Sequence, residues 1–232
     1  IYLHMKKSIL FIFTACFLFT TSCSDFLDEE HKTKYSSEYV FGTPEGLKLA
    51  VNALYALQRY YANDTENATI FALERGTDLA VTNGGTGNFY GIYDPNYLKP
   101  SASQVGFMWR TMYQIIGKAN EIIAAAEDLE DTPSLRATVS EAKCFRAQSY
   151  FLLYRTFDRI WLNIQPTTAE NVNDPRDFHA ASEKEVFDLI YEDLEYAITN
   201  LDWVSDEAGR FTQAAARHMK AKAALWLKDW DT

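Results

Sequence analysis

Apolar side chains recur at intervals of three and four residues through five long stretches of the chain, a spacing that one face of a helix can bury and a strand cannot. Two of these stretches open on the same signal. Thr43-Pro44-Glu45 offers Thr as N-cap and Pro at the first helical position, and Leu47, Ala50, Val51, Leu54 and Leu57 follow, predicting a helix from about Pro44 to Tyr60. Thr132-Pro133 repeats the device ahead of Leu135, Val139, Ala142, Arg146, Tyr150 and Leu153, predicting a helix that reaches about Phe157. Between them, Val105, Met108, Trp109, Met112, Ile116, Ala119 and Ile123 share one face of a helix from about Gln104 to Glu127.

Ser182 with Glu185 forms a capping box for a fourth helix to about Asn200, carrying Val186, Ile190, Leu194, Ala197 and Leu201. After a Gly209-Arg210 turn, a fifth helix starts near Thr212. It is rich in small residues (Ala214, Ala215, Ala216, Ala221, Ala223, Ala224) that permit close approach of a neighbouring helix. The short acidic connection Glu127, Asp128, Glu130, Asp131 makes the second and third helices antiparallel neighbours. The expected fold class is therefore all-α: tetratricopeptide-like helical hairpins, solenoid-like, with a long irregular loop insertion. A short fixed repeat period is absent because the connection from Leu162 to Ala181 is long.

The N-terminus has a different character. Lys6 and Lys7 precede an apolar and small-residue run from Ile9 to Phe19 and then Thr20-Thr21-Ser22-Cys23, the order of a charged region, a greasy core and a cleavage site. The run falls well short of the ~20 residues a spanning helix needs. Cys23 resembles the acylated cysteine of a lipobox, although Thr20 stands where that pattern usually has Leu, and cutting by ordinary signal peptidase is the alternative. Residues 1–22 are thus expected to be a signal peptide, with Ile1 to His4 upstream of the natural start at Met5. Residues 23–42 form a lipidated tether containing Asp25, Asp28, Glu29 and Glu30, and residues 43–232 form the helical domain. Acyl chains contribute about 0.8 kcal/mol per buried CH₂, so a cysteine carrying several of them holds a protein at a lipid bilayer without a spanning helix.

Charge narrows the partners. A formal net charge of −10 disfavours nucleic acid, whose binding depends on clustered Lys and Arg. Of three cysteines, Cys16 lies in the signal and Cys23 is the lipidation candidate. Cys144 is left alone on a helical apolar pattern, where a buried inert thiol is expected. His4, His31, His179 and His218 have no partners at metal-ligand spacing, and neither HExxH nor GxSxG occurs. Asn83-Gly-Gly-Thr-Gly87 lacks the Lys-Ser/Thr ending of a phosphate loop. No cofactor, metal or catalytic residue is assigned, and no enzyme activity is expected. A glycosidase carboxylate pair would leave no local mark in the sequence.

One segment, Gly76 to Ser103, follows no helical period and holds Gly84, Gly85, Gly87, Gly91, Pro95 and Pro100. In it Asn88, Phe89, Tyr90, Tyr93 and Tyr97 mix aromatic rings with amides, beside Asn83, Asp94 and Asn96. Aromatic faces stack on sugar rings while amides and carboxylates bond hydroxyls. These five residues are the candidate ligand-binding set, the alternative being a surface loop whose tyrosines pack onto the helices.

Several motifs in this order resemble the SusD/RagB family: Cys23-Ser-Asp-Phe-Leu-Asp28, the helix with Trp109, Tyr113, Ile116 and Asn120, and Glu141-Ala-Lys-Cys-Phe-Arg-Ala-Gln-Ser-Tyr150. Glu185-Val186-Phe187 with Asp193-Leu194 and Ala197, and the Gly209-Arg210 turn before the Ala-rich helix, belong to the same likeness. The resemblance implies an outer-membrane, cell-surface lipoprotein that passes oligosaccharides, polysaccharides or other nutrients to a TonB-dependent (SusC-like) transporter. A helical scaffold for a protein or peptide is the alternative, and a glycoside hydrolase a third. Family members are much longer, so the chain is expected to be the N-terminal part of a longer protein, the more so as Leu227-Lys228-Asp229-Trp230 offers neither Gly nor Pro to close a helix. Glu141, Arg146 and Tyr150 are assigned to structure: an Arg on an apolar face needs a carboxylate partner, Glu141 or an acid on another helix.

Overall fold

Thr43, Thr132, Ser182 and Thr212 each place a side-chain oxygen where an uncapped backbone N–H would otherwise go unpaired, and each starts a helix. Thr132 accepts from Leu135 N–H at 3.1 Å, Thr212 from Ala215 N–H at 3.2 Å and Thr43 from Gly46 N–H at 3.0 Å. Ser182 and Glu185 complete their capping box reciprocally. In the computed structural model, which describes residues 35–63, 99, 101, 103–175 and 178–231, these caps delimit α2 (Pro44–Asn63), α4 (Pro133–Phe157), α5 (Glu183–Asn200) and α6 (Gln213–Leu227). α3 (Ser103–Ala126) and a short α1 (Ser37–Gly42) complete the described elements, all within one compact unit, Ser37–Thr232.

The architecture is all-helical among the described residues, as expected, and each helix packs chiefly on its neighbours in sequence: α2 on α3, α3 on α4, α4 on α5, α5 on α6. A helix of 25 residues such as α4 is ~37 Å long at 1.5 Å per residue. The connection 127–132 spans at most ~20 Å fully extended, so α3 and α4 can pack side by side only if they run antiparallel. The core lies along the stripes read from the sequence. Leu47, Val51 and Leu54 of α2, Met112, Ile116 and Ala119 of α3, Leu135, Val139, Ala142, Tyr150 and Leu153 of α4, and Val186, Ile190, Leu194 and Ala197 of α5 are all buried. Each large apolar side chain among them contributes about 1.5–3 kcal/mol.

Three features were not foreseen. α1 lies against α2 through Gly46, where a Cβ would sit 2.2 Å from the Tyr39 carbonyl and 2.6 Å from Val40 Cα. Only a residue without a side chain allows that approach. The fifth helix does close without glycine or proline: Lys228 takes the left-handed conformation (φ 58°) at the C-cap, its N–H reaching the carbonyls of Ala224 and Leu225. The alanines of α6 also divide. Ala216, Ala223 and Ala224 are buried, Ala214 and Ala215 are half-buried, and Ala221 faces out.

α4 ends at Asp158, whose φ of 61° and ψ of −50° form a γ-turn closed by Arg159 N–H on the Phe157 carbonyl at 2.6 Å. A non-glycine residue pays for such a conformation with strain, and the turn redirects the chain at once into an extended segment, residues 159–165. No described helix is long and apolar enough to cross a membrane.

Candidate functional site

The residues between α4 and α5 form a strap fastened by side chains instead of by a neighbouring strand. In an extended chain the N–H and C=O of one residue point to the same side, and residues i and i+2 present theirs in the same direction. Tyr113 of α3 uses its hydroxyl as the missing partner, donating to the Trp161 carbonyl at 2.9 Å and accepting from Trp161 N–H at 3.0 Å. Tyr150 of α4 does the same two residues on, with Asn163 O at 2.8 Å and Asn163 N–H at 2.7 Å. The intervening side of the strap is paired as well, since Ala181 N–H bonds the Ile160 carbonyl at 2.8 Å. Burial pushes both phenols above their ordinary pKa, so both hydroxyls remain protonated and able to donate.

Behind the strap lies a buried ionic cluster. Arg146 on α4 forks onto Asp193 of α5, Nε to Oδ2 and Nη2 to Oδ1 at 2.7 Å each, and Lys143 Nζ reaches Oδ1 at 2.9 Å. Arg146 Nη1 donates to Asn120 Oδ1 at 2.9 Å, and Asn120 Nδ2 donates to the Asn163 carbonyl at 2.7 Å. A continuous polar chain thus runs from α5 through α4 and α3 to the strap. Burial alone would lower the Arg146 pKa, but the hydrogen bonds and charge of Asp193 outweigh it and hold the guanidinium charged. Of the two partners open for Arg146 in the sequence, the acid on another helix is the one it has.

Glu141 instead serves a second node. It accepts from the Tyr55 hydroxyl, which in turn accepts from Phe211 N–H at 2.7 Å. Arg210 lies 5.0 Å over the Tyr55 ring, donates to Asn52 Oδ1 at 2.7 Å, and approaches Glu141 at 3.5 Å and Glu207 at 3.4 Å. This node joins α2, α4 and the α5–α6 turn, where Gly209 adopts φ 85°. Burial raises the Glu141 pKa, with Tyr55 and Arg210 pulling it only part of the way back.

A carboxyl whose folded pKa lies above its unfolded one contributes stability that is fully present below the unfolded value, near 4.5, and is lost as pH rises through the folded value. Glu141→Gln removes that dependence. The difference in Tm between Glu141→Gln and the parent is therefore expected to move in favour of the variant as pH is raised from about 4 to 7. Parallel curves across that range would show that Glu141 is not so destabilised in its charged form.

These nodes are structural: their polar groups are consumed by one another. Cys144 is fully buried and burial pushes its thiol pKa up, the opposite of what a nucleophile needs. Among the described residues no group of three or more His, Cys, Asp or Glu side chains could hold a metal ion. The open surfaces are clefts. One of about 250 Å³ borders Lys48, Glu141, Glu207 and Arg210, and one of about 460 Å³ borders Lys143, Glu192 and Tyr196. A third, of about 280 Å³, is walled by the strap itself, with Trp161, Ile164 and Asn171. The candidate residues Asn88, Phe89, Tyr90, Tyr93 and Tyr97, and the lipidation candidate Cys23, lie outside the described residues. Sequence reasoning missed the strap cleft, whose one available signal was Trp161 followed by Asn163, Gln165, Asn171 and Asp174 in a segment without helical period.

Residues 25–225 match the SusD-like family described as "Starch-binding associating with outer membrane". A SusD-like protein of Bacteroides ovatus is 27% identical over 242 residues, which cover 99% of this chain and 41% of that protein. SusD-like protein P2 of Formosa agariphila is 29% identical over 219 residues, covering 93% of this chain and 41% of the relative. Among solved structures, a laminarin binding SusD-like protein superposes with a TM-score of 0.68 at 26% identity, covering 79% of this chain and 40% of that one. The chain spans about two-fifths of the length of the curated relatives it matches.

Proposed function

The chain belongs to the SusD/RagB family, and from that premise we propose that it binds glycans or other nutrients at the outer membrane and passes them, chemically unchanged, to a partner TonB-dependent transporter. The observation that carries the reading is the match of the family over residues 25–225. Likeness to a laminarin binding protein supports a glucan as the ligand class. The family description, which places its members with the outer membrane, supports the location. Acylation of Cys23 after removal of residues 1–22 is the proposed attachment, with the expected tether of residues 23–42 cut short by α1, which joins the helical part at Ser37.

In this reading the helices are a rigid frame and the glycan is held by side chains on the connections between them. Asn88, Phe89, Tyr90, Tyr93 and Tyr97 are the proposed contacts in the connection from α2 to α3.

Calorimetric titration of the full chain with neutral oligosaccharides tests this. Binding is expected for at least one glucan, and Tyr90→Ala and Tyr93→Ala should each weaken it by about 1 kcal/mol. No heat with any saccharide, together with unchanged growth of a deletion strain on each of them, would remove the reading. Parent affinity in both tyrosine variants would remove only that loop.

A further inference from the structure

We infer that the strap cleft is a second saccharide subsite, one that takes an uncharged sugar between the Trp161 wall and the amide and carboxylate groups of the α4–α5 connection; this rests on the glycan-binding reading above and adds a place to it. Trp161 does not stand alone. It lies nearly parallel to Tyr113 (25°, centroids 6.4 Å apart) and against Phe178 (4.8 Å, 51°), and Tyr113 continues the row to Trp109 (4.8 Å) and Phe157 (5.0 Å from Trp109). The Trp161 main chain is fixed by the Tyr113 hydroxyl on both its N–H and its carbonyl, so the indole is mounted before any ligand arrives.

Another part of the cleft lining is also braced. Asn171 donates through Nδ2 to the Pro166 carbonyl at 2.9 Å and accepts from Thr168 N–H at 2.8 Å, which ties the loop back on itself. Around that brace, Asn163, Gln165 and Asp174 line the cleft, and their side chains are the polar groups on offer. They have no hydrogen-bond partner among the described residues, because the bonds at Asn163 and Asp174 are all made by backbone atoms. An amide supplies two donors and two acceptor sites and a carboxylate only acceptors, a set that matches the alternating donor and acceptor capacity of adjacent sugar hydroxyls.

Charge decides which sugar. Among the described residues that line the cleft there is no Lys or Arg, and Asp174 supplies a negative charge. A uronate or sulfate group would meet that carboxylate with no compensating cation among the described lining residues, so the described lining favours neutral hexose units. At about 280 Å³ the cleft is at the lower bound of ligand pockets, the size of a subsite for one or two rings and not of a whole oligosaccharide.

The test uses the full chain, laminarihexaose as the neutral probe and a sulfated oligosaccharide of similar length as the charged one. Gln165 and Asp174 are exposed and hold nothing else in place, so Gln165→Ala/Asp174→Ala should leave the Tm unchanged and weaken laminarihexaose binding about ten-fold, the loss of one to two net hydrogen bonds. Trp161→Ala should weaken it at least as much. Because the clamp acts on the main chain, circular dichroism should show the fold intact in that variant. Laminarihexaose should also protect Trp161 from oxidation by N-bromosuccinimide, located by peptide mass spectrometry.

If the parent binds laminarihexaose and both variants bind it equally well, the cleft is excluded while the glycan reading stands. If the parent binds no neutral saccharide, both fall together. Tighter binding of the sulfated probe, lost in the same variants, would overturn the assignment to neutral sugars.

Discussion

Asp193→Ala is expected to lower the stability of the protein by about 3–5 kcal/mol, because it leaves a buried guanidinium and a nearly buried ammonium without their shared carboxylate. Arg146 and Asp193 are 6% and 0% exposed at their side chains, so water cannot replace the lost partner at Arg146. Lys143 is better placed: it borders an open cleft, 5.2 Å over the Tyr196 ring, and can turn its amine outward. Against a total stability of about 5–15 kcal/mol for a domain, the loss removes between about a fifth and all of the parent urea midpoint. Arg146→Met combined with Asp193→Leu should recover much of it, because no buried guanidinium is then left unpaired and only Lys143 must turn to water. A single variant that unfolds within about 1 kcal/mol of the parent would show the cluster to be solvated.

Tyr150→Ala should cost about 3–5 kcal/mol through the cavity left by a fully buried ring. Tyr150→Phe isolates the hydroxyl. It keeps the ring and deprives Asn163 N–H of its partner, at about 1–3 kcal/mol for a desolvated donor left unpaired. The Asn163 carbonyl keeps Asn120 Nδ2 and is not orphaned. Amide hydrogen exchange separates the two causes. In the Phe variant the Asn163 amide should exchange faster while the Trp161 amide, held by Tyr113, stays protected. Equal acceleration along α4 would point to a general loss of packing and not to release of the strap.

The helices were legible in the sequence because their signals are local. A Thr-Pro pair or a Ser-x-x-Glu box fixes a start, and apolar residues at three and four fix the face, so α4 and α5 were placed to within a residue of their observed ends. The short α1 had no such signal, since six residues carry too little periodicity. Arg146 announced itself as a cation on an apolar stripe. Its partner did not, although Asp193 and Asn120 both sit on buried stripes of their own helices and a polar residue in such a place is a sign of pairing. The strap was illegible for a physical reason: its ladder partners are tyrosines 48 and 13 residues away, and nothing in an extended segment encodes the helix hydroxyls that will hold it.

Fastening the strap through its peptide groups has a consequence for how such a protein can change. Tyr113 and Tyr150 bond only to the N–H and C=O of residues 161 and 163, which every amino acid except proline supplies. The exposed side chains of Ile164 and Gln165 are thereby decoupled from the folding of the segment that carries them, whereas Trp161 and Leu162 pack against their neighbours. Exchanging those two re-letters part of the wall of the cleft while the backbone beneath stays put.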